Sequence, residues 1–407
     1  MAHASPRRLR PLAANLALAA CSLALVLLAL EGVARLARER RGGGKEEATL
    51  DRYSEHDPVL GWRKRPGARA TYHRREYQVE VAINSLGLRD PERPYSAPPG
   101  TFRVLALGDS FLEGYSVPLG STVTQVLERS LSAPGCPVEV LNGGTSAYST
   151  DQEYLFYREE AHAFGARVVA LFFYYNDVYF NTTGSYFGSP KPRLVFKDGR
   201  PELRRPVPEP EPAEQAAQEE PEAPASGSAL FAWLRERLMR GAPRSYDALA
   251  RLGLWGPIRV VPPRMELKVY KRKPVAEIEA AWLATGKILE ALRDEVAAHG
   301  ARLVVVYVPS RMEVSDRDWE LTRIRYGLDD KWDRGLVRER LEGIAGEEGL
   351  PFLDLTPALR RAQGGFSGPY YVYDGHWNAL GHRVAAGELR ELLRRLGTLP
   401  ACVAPAS

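Results

Sequence analysis

The chain has 407 residues, 44% of them hydrophobic and 26% charged, with a net charge of +4. Those proportions belong to a globular protein with a buried core, and the basic residues form no stripe interleaved with aromatics, so nucleic-acid binding finds no support. The only cysteines, Cys21, Cys136 and Cys402, are too few for a disulfide scaffold or a cysteine-rich zinc site.

Arg7, Arg8 and Arg10 precede an uncharged run from Pro11 to Leu30 that only Asn15 and Ser22 interrupt. About 20 such residues cross a bilayer core as a helix. Three readings stand: an uncleaved signal-anchor, a cleaved signal peptide, and a lipoprotein signal in which Leu18-Ala19-Ala20-Cys21 is the lipobox. The run continues well beyond Cys21, which favours the anchor over residues 1–41. Arg35, Arg38, Arg40 and Arg41 follow it, so charge bias does not decide the orientation.

Residues 42–100 are a polar lead-in whose alternation at Tyr77–Ile83 predicts a strand. From residue 101 a pattern repeats. Apolar runs at Phe102–Leu107, Val138–Leu141, Arg167–Phe173, Arg302–Val308 and Pro351–Leu355 predict five strands. Helical spacing fills the intervals at Thr122–Leu131, Asp151–Phe164, Glu277–His299, Leu336–Glu348 and Ala379–Leu396. Near-continuous apolar strands alternating with helices predict an α/β fold with a parallel sheet covered on both faces. The first part of this domain covers 101–178 and the second 274–400. Between them, 179–273 is too long for a loop and reads as an inserted cap. Within it, Asp198-Gly199 marks a hairpin turn over Arg193–Arg200. The Pro- and Glu-rich stretch 206–228 predicts disorder, and Ala229–Met239 resumes helical spacing.

Polar residues gather where the predicted strands end, the place where open α/β sheets bind ligands. Gly108-Asp109-Ser110 ends the first strand, where a serine on a tight turn exposes its hydroxyl and its N–H. Asn142-Gly143-Gly144 ends the second, and a glycine there permits close backbone approach. Asn176-Asp177 ends the third, where Asn176 could donate to an oxyanion or merely cap a helix. Asp374-Gly375-His376-Trp377 precedes the last helix. Asp374 and His376 can pair only in a loop, which Gly375 permits, leaving the far nitrogen of His376 free to deprotonate a serine. His382, a rival base, falls inside the helix as a structural residue. Each signal alone is an ordinary turn or cap; their joint order along one sheet is what points to chemistry.

These residues resemble the SGNH (GDSL) hydrolase family. Gly108-Asp109-Ser110 is similar to its first block, Gly144 to its second, Asn176 to its third, and Asp374 with His376 to its last. The resemblance runs from about Asn84 to the C-terminus and includes Asn84-Ser85-Leu86-Gly87-Leu88-Arg89, similar to a lead-in of membrane-anchored bacterial members. It implies a three-layer flavodoxin-like fold and acyl transfer from an ester, with Ser110 as nucleophile, His376 as base then acid, and Asp374 orienting it. The Ser110 N–H, the Gly144 N–H and the Asn176 amide would form the oxyanion hole. No metal or organic cofactor is implied.

Asp-x-His-Trp departs from the commoner motif and resembles the branch with polysaccharide O-acetyltransferases. Water as acceptor makes an esterase acting on an acyl ester, the leading reading; a hydroxyl of an envelope polysaccharide makes a transferase. A non-catalytic carbohydrate-binding or assembly protein is a third reading. Ala147 stands where many members carry a second glycine. Asp109, Arg311 (after the fourth strand) and Trp377 are candidate substrate-binding residues. The resemblance also implies an extracytoplasmic domain on a single-pass anchor. In a flavodoxin-like order the first and last helices share a face, so Cys136 and Cys402 could pair there, against the alternative of two unrelated thiols.

Overall fold

The computed structural model describes residues 9–41, 53–186, 189–204, 228–253, 255–256, 258, 260–364 and 368–403. The stretch expected to be disordered falls almost wholly outside them. The described residues fall into two units. The smaller joins helix α1 (Leu9–Arg41) to the helices Ala229–Gly241 and Pro243–Arg251. α1 contains one segment, Ala14–Ala37, long and apolar enough to cross a membrane, and Cys21 is exposed in its midst.

The larger unit is built on five parallel strands: β1 (Phe102–Gly108), β2 (Val138–Asn142), β3 (Val168–Tyr174), β4 (Arg302–Val308) and β5 (Phe352–Asp354). Their order across the sheet is β2-β1-β3-β4-β5, the flavodoxin-like order, with its switch point between β1 and β3. Side chains alternate across the sheet as the strand period requires. Val104, Ala106, Val140, Ala170, Val304 and Val306 pack with helices α2 (Val123–Leu131) and α6 (Ala379–Arg395). Leu105, Leu107, Leu141, Leu171, Val305 and Tyr307 pack with α3 (Thr150–Glu159), α4 (Ala276–Ala298) and α5 (Leu336–Glu347). α2 and α6 therefore share a face, and a Cys136–Cys402 disulfide joins the chain just beyond their ends, with Cα atoms 5.8 Å apart.

Outside the sheet, Arg193–Lys197 pairs with Arg200–Arg204 around Asp198 and Gly199, both at positive φ. That is the handedness a two-residue hairpin turn needs. The helix Asp316–Tyr326 has no counterpart in the sequence reading. It buries none of its residues fully, so its sequence carries no apolar stripe to reveal it. The polar lead-in folds as two hairpins, Ser54–Asp57 with Gly61–Lys64 and Arg69–His73 with Gln78–Ala82. The second sets Tyr72, Tyr77, Val79 and Val81 into a small apolar cluster shared with Tyr115.

Candidate active site

β1 ends at Gly108, and a four-residue helix, Ser110–Glu113, begins immediately. A Cβ on Gly108 would lie 3.0 Å from the side chains of Leu112 and Phe172, so a glycine here spares the turn a tight contact with the sheet. Ser110 is the first helical residue, a position whose N–H has no partner within the helix. The Asp109 carboxylate accepts from the Phe111 N–H at 2.9 Å and caps this turn.

Across the sheet end, Tyr371–Asn378 forms the loop that leads into α6. Gly375 at φ 84° folds it back, and the imidazole of His376 lies between two oxygen partners. Its Nε2 is 2.8 Å from the Ser110 hydroxyl and its Nδ1 is 2.6 Å from Asp374 Oδ1. The other Asp374 oxygen accepts from the Tyr77 hydroxyl at 2.7 Å. Burial disfavours the charge on Asp374, yet His376 and Tyr77 outweigh it and hold the carboxyl down at about 2. Burial likewise opposes an imidazolium, but the Asp374 carboxylate prevails and raises the affinity of His376 for a proton.

Residues that sequence reasoning missed hold this loop in place. The Glu76 carboxylate accepts from three successive backbone N–H groups, those of Val372 (2.6 Å), Tyr373 (2.7 Å) and Asp374 (3.1 Å). The Tyr115 hydroxyl lies 3.2 Å from His376 Nδ1. Arg89 donates to the carbonyls of Glu113, Gly114 and Val117 at 2.6–2.9 Å and fixes the far end of the Ser110 helix. Glu113 in turn accepts from the N–H and hydroxyl of Ser146 at 2.6 and 2.8 Å, tying the loop after β2 to the same helix. None of these pairings leaves a local signature, because each partner is tens to hundreds of positions away.

The other expected contributors have partners of their own. The Gly144 N–H is already committed to the Asn142 side chain at 3.0 Å, and Gly144 is buried against Leu112 and Glu113. Its glycine identity serves close packing. Ala147, three residues on, is only partly buried at φ 66°, and its N–H has no hydrogen-bond partner among the described residues. Asn176 is partly exposed at the end of β3, its amide donating to the Tyr186 hydroxyl at 3.2 Å. Arg311 is largely, not fully, covered. Its side chain pairs with Asp318 at 2.9 Å and donates to the carbonyls of Tyr371 and Val372, bracing the His376 loop from below. Trp377 is fully buried against Phe111 and His382, so it presents no surface to a substrate. Asp109 is also buried, which lifts its carboxyl to about 6, and it caps the Ser110 helix. His382 accepts from the Val123 N–H at 3.2 Å; burial lowers it to about 3, so it stays neutral and structural.

Beside Asn176, Tyr175 lines a cavity of about 270 Å³ with Arg264, Glu266, Met312 and Tyr326. Among the described residues no group of His, Cys, Asp and Glu is arranged to hold a metal.

Residues 270–402 match the family model of the SGNH hydrolase-like domain of the acetyltransferase AlgX. This segment is SGNH hydrolase-like. The SGNH-like match contains β4, β5, Asp374 and His376, while Ser110 lies before it. No curated protein matches the chain by sequence. Among solved structures, LAE5 from the Lake Arreo metagenome is 13% identical with a TM-score of 0.39, covering 75% of this chain and 99% of its own. A mutant of the acetyl-xylooligosaccharide esterase Axe2 from Geobacillus stearothermophilus is 14% identical with a TM-score of 0.37, covering 72% and 94%. A G-D-S-L family protein from Desulfitobacterium hafniense DCB-2 is 12% identical with a TM-score of 0.34, covering 72% and 99%.

Proposed function

We propose that the chain is an acyl-ester enzyme working through an acyl-Ser110 intermediate. One observation carries this reading: the continuous hydrogen-bonded line from the Ser110 hydroxyl through both nitrogens of His376 to Asp374. Ser110 Oγ attacks the acyl carbon while its proton passes to His376 Nε2. The resulting oxyanion is held by the Ser110 N–H, the Asn176 amide and the Ala147 N–H, the last replacing the committed Gly144 N–H. Asn176 keeps a second amide hydrogen beyond the one given to Tyr186. Collapse expels the leaving alkoxide, which takes the proton from His376. An acceptor hydroxyl then gives its proton to His376 and attacks the acyl-serine, and the departing Ser110 Oγ takes that proton back from His376. A protein that only binds carbohydrate has no need of a nucleophile poised against a base.

Water as the acceptor gives an esterase. A second reading, transfer of an acyl group to a hydroxyl of an envelope polysaccharide, is favoured by the match to an acetyltransferase model and by Trp377 directly after His376. On either reading α1 anchors the enzyme in a membrane with the catalytic unit outside the cytoplasm. The Cys136–Cys402 disulfide supports such an oxidising compartment.

The test is a fluorophosphonate probe followed by peptide mapping. Label is expected on the Ser110 peptide of the native protein and absent from a folded Ser110→Ala variant; an active variant would overturn the proposal. An activated acyl ester supplied with oligosaccharide then separates release to water from transfer to sugar.

A further inference from the structure

The smaller unit carries a surface that ester chemistry does not explain. The uncharged run of α1 ends at Leu30, and about 20 helical residues span about 30 Å, the thickness of a bilayer core. Glu31 therefore stands at the hydrocarbon boundary. Its carboxylate accepts from the Ser228 hydroxyl at 2.7 Å and from the Ala229 and Leu230 N–H groups at 2.9 Å, and it pairs with Arg35 at 2.7 Å. These bonds satisfy the open N–H groups at the start of helix Ala229–Gly241 and fix that start at the same level.

The burial pattern gives the direction. From Ala14 to Ala37 only Glu31, Ala34 and Ala37 are partly covered, one face of the last turns of α1. Helix Ala229–Gly241 packs in that region, beyond the end of the apolar run. Its first half is apolar; its second half carries three arginines and one acid, Glu236, which pairs with Arg240 at 3.5 Å. Phe231, Trp233 and Leu234 are 50%, 39% and 43% exposed. Arg235, Arg237 and Arg240 follow, with the Arg237 guanidinium over the Trp233 ring at 4.9 Å. The adjoining helix Pro243–Arg251 adds Arg244, and Arg251 paired with Asp247 at 2.8 Å, and Leu252 beyond it is 72% exposed.

We infer that these two helices form an interfacial membrane anchor. Phe231, Trp233 and Leu234 enter the boundary between acyl chains and headgroups, while the arginines face anionic headgroups. Aromatic and apolar side chains with flanking arginines are what that boundary selects, and continuity with α1 through Glu31 makes the lipid surface the occupant. The inference rests on α1 spanning the bilayer.

The test uses the full chain reconstituted into vesicles of phosphatidylcholine with and without phosphatidylglycerol. Trp233 is read as the difference in fluorescence between the native chain and Trp233→Phe. Nitroxide-labelled lipid is expected to quench that signal, and shielding from aqueous acrylamide should improve at least about twofold with phosphatidylglycerol. Quenching by acrylamide but not by nitroxide lipid would overturn the inference, as would shielding that follows protein density or an added protein instead of lipid. Equal shielding in both vesicle types would overturn the anionic preference. Alkaline carbonate washing separates the two readings. Protein released from the vesicles defeats the spanning helix; protein retained with Trp233 in water defeats only the interfacial helices.

Discussion

Tyr77 and Asp374 meet at 2.7 Å, hydroxyl to carboxylate, on the oxygen that His376 leaves unused. One residue comes from an N-terminal hairpin and the other from the loop before the last helix, so the lead-in helps to build the site. By donating to Asp374, Tyr77 withdraws part of the negative charge that faces the imidazole.

The first prediction follows from that charge. A general base acts only when neutral, so kcat/KM should rise with pH through the titration of His376. Asp374 raises that titration, so the acid limb should lie above the ordinary imidazole value of about 6.5. Tyr77→Phe returns charge to Asp374 and should move the limb to higher pH. Asp374→Asn removes the charge, moves the limb lower and should reduce kcat by about 10⁴. Profiles measured with an activated ester decide; a limb unmoved in both variants would refute the coupling.

Glu76→Ala leaves three N–H groups of the His376 loop without their acceptor. Hydrogen bonds to a charged group contribute about 1.5–3 kcal/mol each, so the loop should loosen. The expected result is a kcat reduced roughly 10- to 100-fold with KM little changed, because placement rather than binding is lost. Steady-state kinetics beside a melting curve check it. Full kcat in a variant that melts lower would show that the loop holds its shape without Glu76.

Ala147 sits at φ 66°, where a side chain costs about 1–2 kcal/mol relative to glycine. Ala147→Gly should therefore stabilise the protein by about 1 kcal/mol while the probe still labels Ser110. Gly144→Ala should do the opposite. Its Cβ would fall 2.9 Å from the Leu112 backbone carbon, pushing the Ser110 helix out of place, so stability and labelling rate should fall together. Chemical denaturation with timed fluorophosphonate labelling distinguishes the two.

Replacing Cys136 and Cys402 by serine should cost roughly 2–5 kcal/mol in unfolding free energy, because the unfolded chain loses a long closed loop. Non-reducing mass spectrometry of the native protein should recover the linked peptides. Two free thiols in folded protein would contradict the bond.

The sheet was readable because its strands are short, apolar and buried on both faces, a pattern that survives in sequence. Ser110, Asp374 and His376 could be picked out because strand ends and a pre-helix loop put chemical side chains in predictable places. Direction could not be read. Arg311, Trp377 and Asp109 follow strand or loop ends as substrate-binding residues do, but each turns inward to a carbonyl, an aromatic cluster or a helix cap. That the Gly144 N–H is taken up by the Asn142 side chain was hidden for the same reason, since side-chain direction decides it. Glu76 and Tyr77 were invisible because their partners are nearly 300 positions away.

The Cys136–Cys402 bond closes a ring around almost two-thirds of the polypeptide. A protease cutting once anywhere inside that ring yields two fragments that cannot part until the sulfurs are reduced. Ser110 and α1 would stay on one fragment and His376, for a cut before it, on the other. A nicked molecule could thus keep both halves of its chemistry tethered to one anchor.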